Sequence, residues 1–258
     1  MNKLIVALPA YNEEENINVL MDRWLAQKEL LKESFQLDLH IVVIDDGSKD
    51  ETAVIVKEAE QNTAHIHLVQ HETNKGLGAG VRTGIGHFLN NYPDGSYLCV
   101  MDADNTQDPI YITDMLHAAL TRNADVVIAS RYRKGSRVDG VSPLRLVMSS
   151  GARFVFSTML RVPGVRDYTC GYRLYKRAKL QEAADCYGAA LIEENGFTCM
   201  VELLYKLYSC GAAFAEVPFH LRYDQKVGSS KMSVMKTAWN SIFLASKLRR
   251  NNTNDGRC

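Results

Sequence analysis

Two pairs of aspartates carry the chemistry that is easiest to read in this chain. Asp45 and Asp46 stand in Asp45-Asp-Gly-Ser-Lys-Asp-Glu-Thr52, and Asp102 and Asp104 in Met101-Asp-Ala-Asp104. Each pair follows a short apolar run. Carboxylates are costly inside a fold, so acids placed just past buried strands point to a site, and that arrangement suits a nucleotide and a divalent metal. Residues one apart on an extended segment face opposite ways, but a turn past the strand lets Asp102 and Asp104 approach one ion. Mg²⁺ or Mn²⁺ takes oxygen ligands and leaves room for substrate phosphate, and Gln107 can add a further oxygen. The alternative for both pairs is a turn with solvated acids, with Ser48 or Asp50 capping the next helix. A second set of chemistry-bearing residues lies further on: Arg131, Arg145, Arg153, Arg173 and Arg222. The planar guanidinium fork matches phosphate oxygens. Taken singly, each of these arginines reads equally well as a surface ion pair.

These residues must be positioned by the elements around them. Apolar runs rich in β-branched residues fall at Leu4–Leu8, Leu39–Ile44, Ile66–Val69, Tyr97–Met101 and Val126–Ala129. Nearly uninterrupted runs of this kind read as strands covered on both faces. Stretches of helical period lie between them, at about 13–28, 50–61, 77–90 and 109–120. Asp50 and Asp108 suit helix starts, and Pro109 a first helical position. The alternation predicts an α/β fold with a mostly parallel sheet flanked by helices. In such sheets ligands bind beyond the carboxyl ends of the strands. The polar groups after the runs, from Pro9-Ala-Tyr-Asn-Glu13 to Ser130-Arg-Tyr132, should therefore gather along one edge.

The second half is less regular. Tyr132–Ser142 reads as a mobile loop, followed by a helix at about Leu144–Leu160. A segment at Tyr168–Tyr175, helices near 177–186 and 198–209, and a strand near 213–221 come next. A last helix at about 234–249 carries Met235, Ala238, Trp239, Ile242 and Phe243 on one side. That side either packs on the core or lies on an anionic membrane surface. Residues 251–258 read as a disordered tail.

The composition is that of a globular protein, 46% hydrophobic and 23% charged, and the formal net charge of +0 gives no reason to expect nucleic acid as a partner. The cysteines form no Cys-x-x-Cys pair, which argues against zinc or redox motifs and for mostly reduced, buried thiols. The histidines form no triad or ligand pattern and read as structural or exposed. Asn74-Lys-Gly-Leu-Gly-Ala-Gly80 lacks the last glycine of a dinucleotide fingerprint, since Thr83 stands there, and also lacks a P-loop ending. A glycine turn packing a helix closely on the sheet is the plainer reading. No signal peptide and no membrane-spanning helix are expected.

Taken in order, Pro9-Ala-Tyr-Asn-Glu-Glu-Glu-Asn16, Asp45–Thr52, Asn74-Lys-Gly-Leu-Gly78 and Met101-Asp-Ala-Asp104 resemble family 2 glycosyltransferases of the GT-A fold, which is Rossmann-like. Ser130-Arg-Tyr132, Asp167-Tyr-Thr-Cys-Gly-Tyr-Arg173 and Val217-Pro-Phe-His-Leu-Arg222 resemble the polyprenyl-phosphate branch, to which dolichyl-phosphate mannose synthase belongs. The resemblance covers residues 3 to about 232. It implies a catalytic domain over 1–232, and the residues beyond it read as an amphipathic helix over 233–250 on the acceptor side and a tail over 251–258. It implies Mg²⁺ or Mn²⁺ bound directly by Asp104, with Asp102 as ligand or ribose contact; family members vary at the position of Gln107, which the residues alone offer as a further ligand. Pro9, Tyr11, Asn12, Glu13, Asp45, Asp46 and Lys75 would hold the nucleotide diphosphate sugar. Arg131, Arg145, Ser149 and Arg222 would hold a lipid phosphate, with Lys231 in a segment that closes over the substrates. The implied reaction is inverting transfer of a sugar to a polyprenyl or dolichyl phosphate. Its implied place is the cytoplasmic face of a membrane, reached by surface binding or through a membrane-anchored partner subunit. An anionic phosphate needs no general base, whereas a hydroxyl acceptor would, and Asp167 is then the suspect; otherwise Asp167 orients Arg173. Three other readings stay open: a family 2 enzyme acting on a glycan or other hydroxyl, a non-catalytic nucleotide-sugar-binding subunit, and a nucleotidyltransferase. The last lacks its usual N-terminal glycine- and base-rich loop.

Overall fold

The structure is a computed structural model that describes residues 1–225 and 243–250, and at 143–148 the backbone alone. Nine strands are present among these residues: β1 (Asn2–Ala10), β2 (Leu37–Asp45), β3 (Ile66–Gln70), β4 (Tyr97–Val100), β5 (Val126–Ser130), β6 (Arg137–Asp139), β7 (Arg173–Lys176), β8 (Phe214–Pro218) and β9 (His220–Arg222). The helices are α1 (Ile17–Leu25), α2 (Lys28–Phe35), α3 (Thr52–Asn62), α4 (Leu77–Asn91), α5 (Ile112–Thr121), α6 (Pro143–Met159), α7 (Arg177–Tyr187) and α8 (Cys199–Ser209). Seven strands form one sheet in the order β3-β2-β1-β4-β7-β5-β8. All its pairings are parallel except those of β7, which runs antiparallel to both β4 and β5.

The uninterrupted apolar runs explain the architecture. Leu4 through Leu8 and Ile41 through Ile44 are almost wholly buried, as strands covered on both faces must be. Helix α4 lies close on β1: a Cβ added at Gly80 would sit 3.0 Å from the Pro9 Cβ, and one at Gly84 3.1 Å from the Ala7 Cβ. This supports the packing reading of the glycine-rich segment. Strand β1 is flanked by β2 on one side and β4 on the other, so the chain order reverses there. The crevice beyond the carboxyl ends of β1, β2 and β4 is where an open α/β sheet takes its ligand.

The structure departs from the expected elements in three places. The stretch 13–28 is not one helix: residues 11–16 form a loop, α1 starts at Ile17, and α2 follows after a break. The Tyr132–Ser142 stretch contains β6, which pairs with β9 in a two-stranded parallel sheet. The expected strand at 213–221 is accordingly split, with β8 in the main sheet and β9 in the small one. The far C-terminal residues 243–250 are helical, with Leu244, Ala245 and Leu248 buried and Phe243 exposed. Lys247 Nζ lies 3.5 Å from Glu193 Oε2. Of the two readings of that helix, core packing describes this part, while 226–242 and 251–258 lie outside the described residues. No described helix is long and apolar enough to cross a membrane. Cys99, Cys170, Cys199 and Cys210 are buried thiols.

Candidate active site

The first aspartate pair builds loops. Asp45 has no exposed surface, and its carboxylate accepts from the Ser48 N–H at 3.1 Å and from Gln70 Nε2 at 3.0 Å. Asp46, also buried, accepts from the Lys75 and Gly76 N–H groups at 2.9 and 2.8 Å and shares a 2.7 Å bond with His71 Nδ1. His71 Nε2 is in turn 2.9 Å from Thr83 Oγ1. Lys75 thus enters this network through its backbone, while its side chain is exposed. Beside it, the Pro9–Glu13 segment is pinned to the 48–52 turn. The Asn12 N–H donates to Ser48 Oγ at 2.9 Å, the Glu13 N–H to Thr52 Oγ1 at 2.8 Å, and the Lys49 N–H to Asn12 Oδ1 at 2.8 Å. Asn12 takes a left-handed φ of 54°. Pro9, Tyr11, Asn12 and Glu13 stay partly exposed along this edge.

The second pair is arranged differently. Asp102 and Asp104 are both partly exposed. Gln107 Nε2 donates to Asp102 Oδ2 at 2.8 Å, and the Thr106 hydroxyl to Asp104 Oδ1 at 2.7 Å. The amide oxygen of Gln107 is buried without a hydrogen-bond partner among the described residues. A buried polar oxygen normally has a partner, so an orphan on the amide that also bonds Asp102 fits a cation. Two carboxylate groups and one amide oxygen are also the hard oxygen set that Mg²⁺ or Mn²⁺ prefers. Arg222 reaches the same loop from β9, its N–H donating to the Thr106 carbonyl at 2.8 Å, while its guanidinium pairs with Asp224.

The segment 167–171 links these acids to the arginines. Gly171 lies so close to Asp102 that a Cβ there would sit 2.9 Å from Oδ1. Asp167 is fully buried and holds Arg131 by a two-pronged bond, 2.8 Å from Nε to Oδ2 and 2.6 Å from Nη2 to Oδ1. Its oxygens also accept the N–H groups of Arg131, Thr169 and Cys170. Burial pushes the Asp167 carboxyl up, and the Arg131 guanidinium outweighs it and holds the group below the usual carboxylate range. Arg131 is raised by the same pairing despite its own burial. Next to it, the Tyr132 hydroxyl is 2.6 Å from Ser149 Oγ. The Arg131 and Arg153 guanidinium carbons lie 5.5 and 4.6 Å from the Tyr132 ring centre, cation–π distances in both cases.

The structure therefore gathers Arg131, Ser149 and Arg153 around Tyr132, a residue that stands out in the sequence only as the end of Ser130-Arg-Tyr132. It places Arg173 elsewhere: fully buried, bonded to the carbonyls of Tyr168, Cys170 and Met200. Asp167 orients Arg131, not Arg173, and its oxygens are occupied, so it makes a poor general base. Arg145 lies on α6 where only the backbone is described, and Lys231 lies outside the described residues. His71 has a place in the site's framework that the absence of any histidine pattern does not suggest. The sequence does carry a signal for it: Asp46 and His71 each follow the last residue of neighbouring strands that are paired at Asp45 and Gln70.

A model of the family described as Glycosyl transferase family 2 matches residues 5–183. The chain is 30% identical over 232 residues to polyprenol monophosphomannose synthase from Mycolicibacterium smegmatis, an alignment covering 90% of this chain and 81% of that protein. It is 30% identical over 224 residues to dolichyl-phosphate beta-glucosyltransferase from Dictyostelium discoideum, covering 83% of this chain and 64% of the other. Among solved structures, glucosyl-3-phosphoglycerate synthase from Mycobacterium tuberculosis, in complex with Mn²⁺, UDP and phosphoglyceric acid, matches with a TM-score of 0.67 at 17% identity. That match covers 96% of this chain and 78% of the other.

Proposed function

The chain belongs to glycosyl transferase family 2 and is a glycosyltransferase of the GT-A fold, and from that premise we propose that it transfers a sugar from a nucleotide diphosphate sugar to a polyprenyl or dolichyl phosphate, inverting the anomeric carbon. The observation that carries the acceptor assignment is the grouping of Arg131, Ser149 and Arg153 around Tyr132, joined to Asp102 through the 167–171 segment. Two guanidinium groups and a hydroxyl are a phosphate-binding set. Both curated relatives carry a polyprenol or dolichyl phosphate in their names, which agrees with it.

The residues divide the work. Pro9, Tyr11, Asn12 and Glu13 face the nucleoside, on loops that Asp45 and Asp46 hold in place. Asp102, Asp104 and Gln107 would hold a divalent cation, which would supply positive charge to offset that of the departing diphosphate. The acceptor phosphate is anionic near neutral pH and attacks the anomeric carbon from the face opposite the leaving group. Arg131 and Arg153 orient it and screen its charge, so positioning replaces proton abstraction. The occupied carboxylate of Asp167 supports this reading over a hydroxyl acceptor, which would need a base. Arg145, Arg222 and Lys231 complete the acceptor side in this proposal. A lipid acceptor places the enzyme at the cytoplasmic face of a membrane, bound to its surface or to an anchored subunit.

The test uses purified protein, Mn²⁺ or Mg²⁺, labelled nucleotide sugars and polyprenyl phosphate. Asp104→Ala should lower kcat/KM at least about 10³-fold, the several kcal/mol expected of a catalytic cation. Arg153→Ala should raise KM for the lipid phosphate about tenfold and leave nucleotide-sugar binding in place. Full activity of Asp104→Ala would sink the metal assignment. Transfer to glycans but not to polyprenyl phosphate would sink the acceptor.

A further inference from the structure

The opposite end of the sheet carries a second group of metal-ligating side chains. Asp38 and His40 lie two apart on β2, hence on one face, and His65 just precedes the neighbouring β3. One ligand atom from each of Asp38, His40 and His65 fits within 4.8 Å of the other two. His40 Nε2 is 3.1 Å from Asp38 Oδ2, and His65 lies beside Asp38 with its Nδ1–H donating to the Leu39 carbonyl at 2.7 Å, which leaves His65 Nε2 as the nitrogen for a metal. Strand β2 then runs to Asp45, seven residues on, so this group is roughly 23 Å from the nucleotide end at ~3.3 Å per residue. It is a different place from the catalytic acids.

Two further observations point to a cation. First, one is already there: Lys3 Nζ, from β1, sits 2.5 Å from Asp38 Oδ2 and 3.1 Å from His40 Nε2. An ammonium nitrogen occupies the position at which a carboxylate and an imidazole converge. The Lys3 side chain keeps 29% of its surface exposed, so it can swing out. Second, the other nitrogen of His40 is supported from behind. His40 Nδ1 is 3.3 Å from His67 Nε2, with the two rings stacked at 11°. A ligating histidine usually anchors its second nitrogen in this way, which fixes the ring and its tautomer.

We propose that Asp38, His40 and His65 form a binding site for a zinc-class divalent cation, with Lys3 as a built-in competitor that leaves as the metal enters. Two imidazoles and one carboxylate suit Zn²⁺ rather than Mg²⁺ or Ca²⁺, and leave a fourth position for water. The ion clips β2 to the turn before β3, far from the reacting groups. Its effect therefore falls on stability and not on turnover.

The experiment titrates the full chain, carrying Asp104→Ala to silence the catalytic cation, with Co²⁺ and then Zn²⁺. Visible absorption reads tetrahedral cobalt, and calorimetry and thermal unfolding read zinc. One equivalent of Co²⁺ should give a visible band that Zn²⁺ abolishes, and Zn²⁺ should raise the melting temperature. His65→Ala should weaken zinc binding at least about tenfold and leave transferase activity of the otherwise native chain unchanged. Lys3→Met should tighten binding, a gain that misfolding cannot imitate. Absence of cobalt and zinc binding even in the Lys3→Met chain overturns the proposal, as does binding that His65→Ala leaves unmoved. Neither result bears on the Asp104 test of the catalytic cation.

Discussion

At the scale of single residues, the pairing of Asp167 with Arg131 has the sharpest consequence. Asp167 titrates below the usual value in the fold, against about 3.9 when unfolded. Between those two values the unfolded chain binds more protons, so the pair's contribution is full above about pH 4 and is lost as pH falls through the folded pKa. Arg131→Met leaves a buried, unpaired carboxylate and should cost about 3–5 kcal/mol near neutral pH. Burial then raises the Asp167 pKa, so this deficit should shrink on acidification. Denaturant unfolding from pH 7 to pH 3 on both proteins checks the opposite slopes. The acids of the site differ in how far the sequence discloses them. Those at 45, 46, 102 and 104 are legible because a carboxylate just past a buried strand is costly unless it serves a site or a turn. Their separate roles are less legible. Asp45 and Asp46 differ from Asp102 and Asp104 in which N–H groups reach them, and those come from Gln70, His71 and the 75–76 turn, distant in sequence.

At the scale of elements, the parallel core follows from apolar runs and is readable almost residue by residue. The irregular pieces are not, because each is defined by a partner. Helix α1 starts late because Ser48, Asp50 and Thr52 take the backbone N–H groups of residues 12–14 into a loop. Strand β6 exists only because β9 pairs with it. The 167–171 segment is the most consequential of these pieces, since it touches Asp102 at one end and fixes Arg131 at the other. Gly171→Ala tests that link. A methyl 2.9 Å from the Asp102 carboxylate forces the acid to shift. The metal concentration for half-maximal activity should rise at least about tenfold, with little change in melting temperature, since small misplacements near the reacting atoms cost that much. Kinetics at varied Mn²⁺ would measure it, and an unchanged metal requirement would contradict the link.

At the scale of the molecule, one sheet spans both substrate sides. The donor acids follow β1, β2 and β4, and the arginine cluster follows β5, with β7 between β4 and β5. Strands β4 and β5 are neighbours in sequence, yet neither touches the other in the sheet: β7 fills the gap. That insertion matters during synthesis. A ribosome delivers the chain from its N-terminus, and domains tend to fold as they emerge. While only the first ~165 residues are out, β4 presents an unpaired edge and β5 has no partner, because β7 and β8 have not been made. An exposed apolar edge is an invitation to aggregate. A fragment ending at residue 165 should therefore precipitate or be captured by chaperones, whereas the full chain should stay soluble in size-exclusion chromatography. By this reasoning the nascent chain has a vulnerable interval that closes only when Arg173–Lys176 slides between strands made long before it.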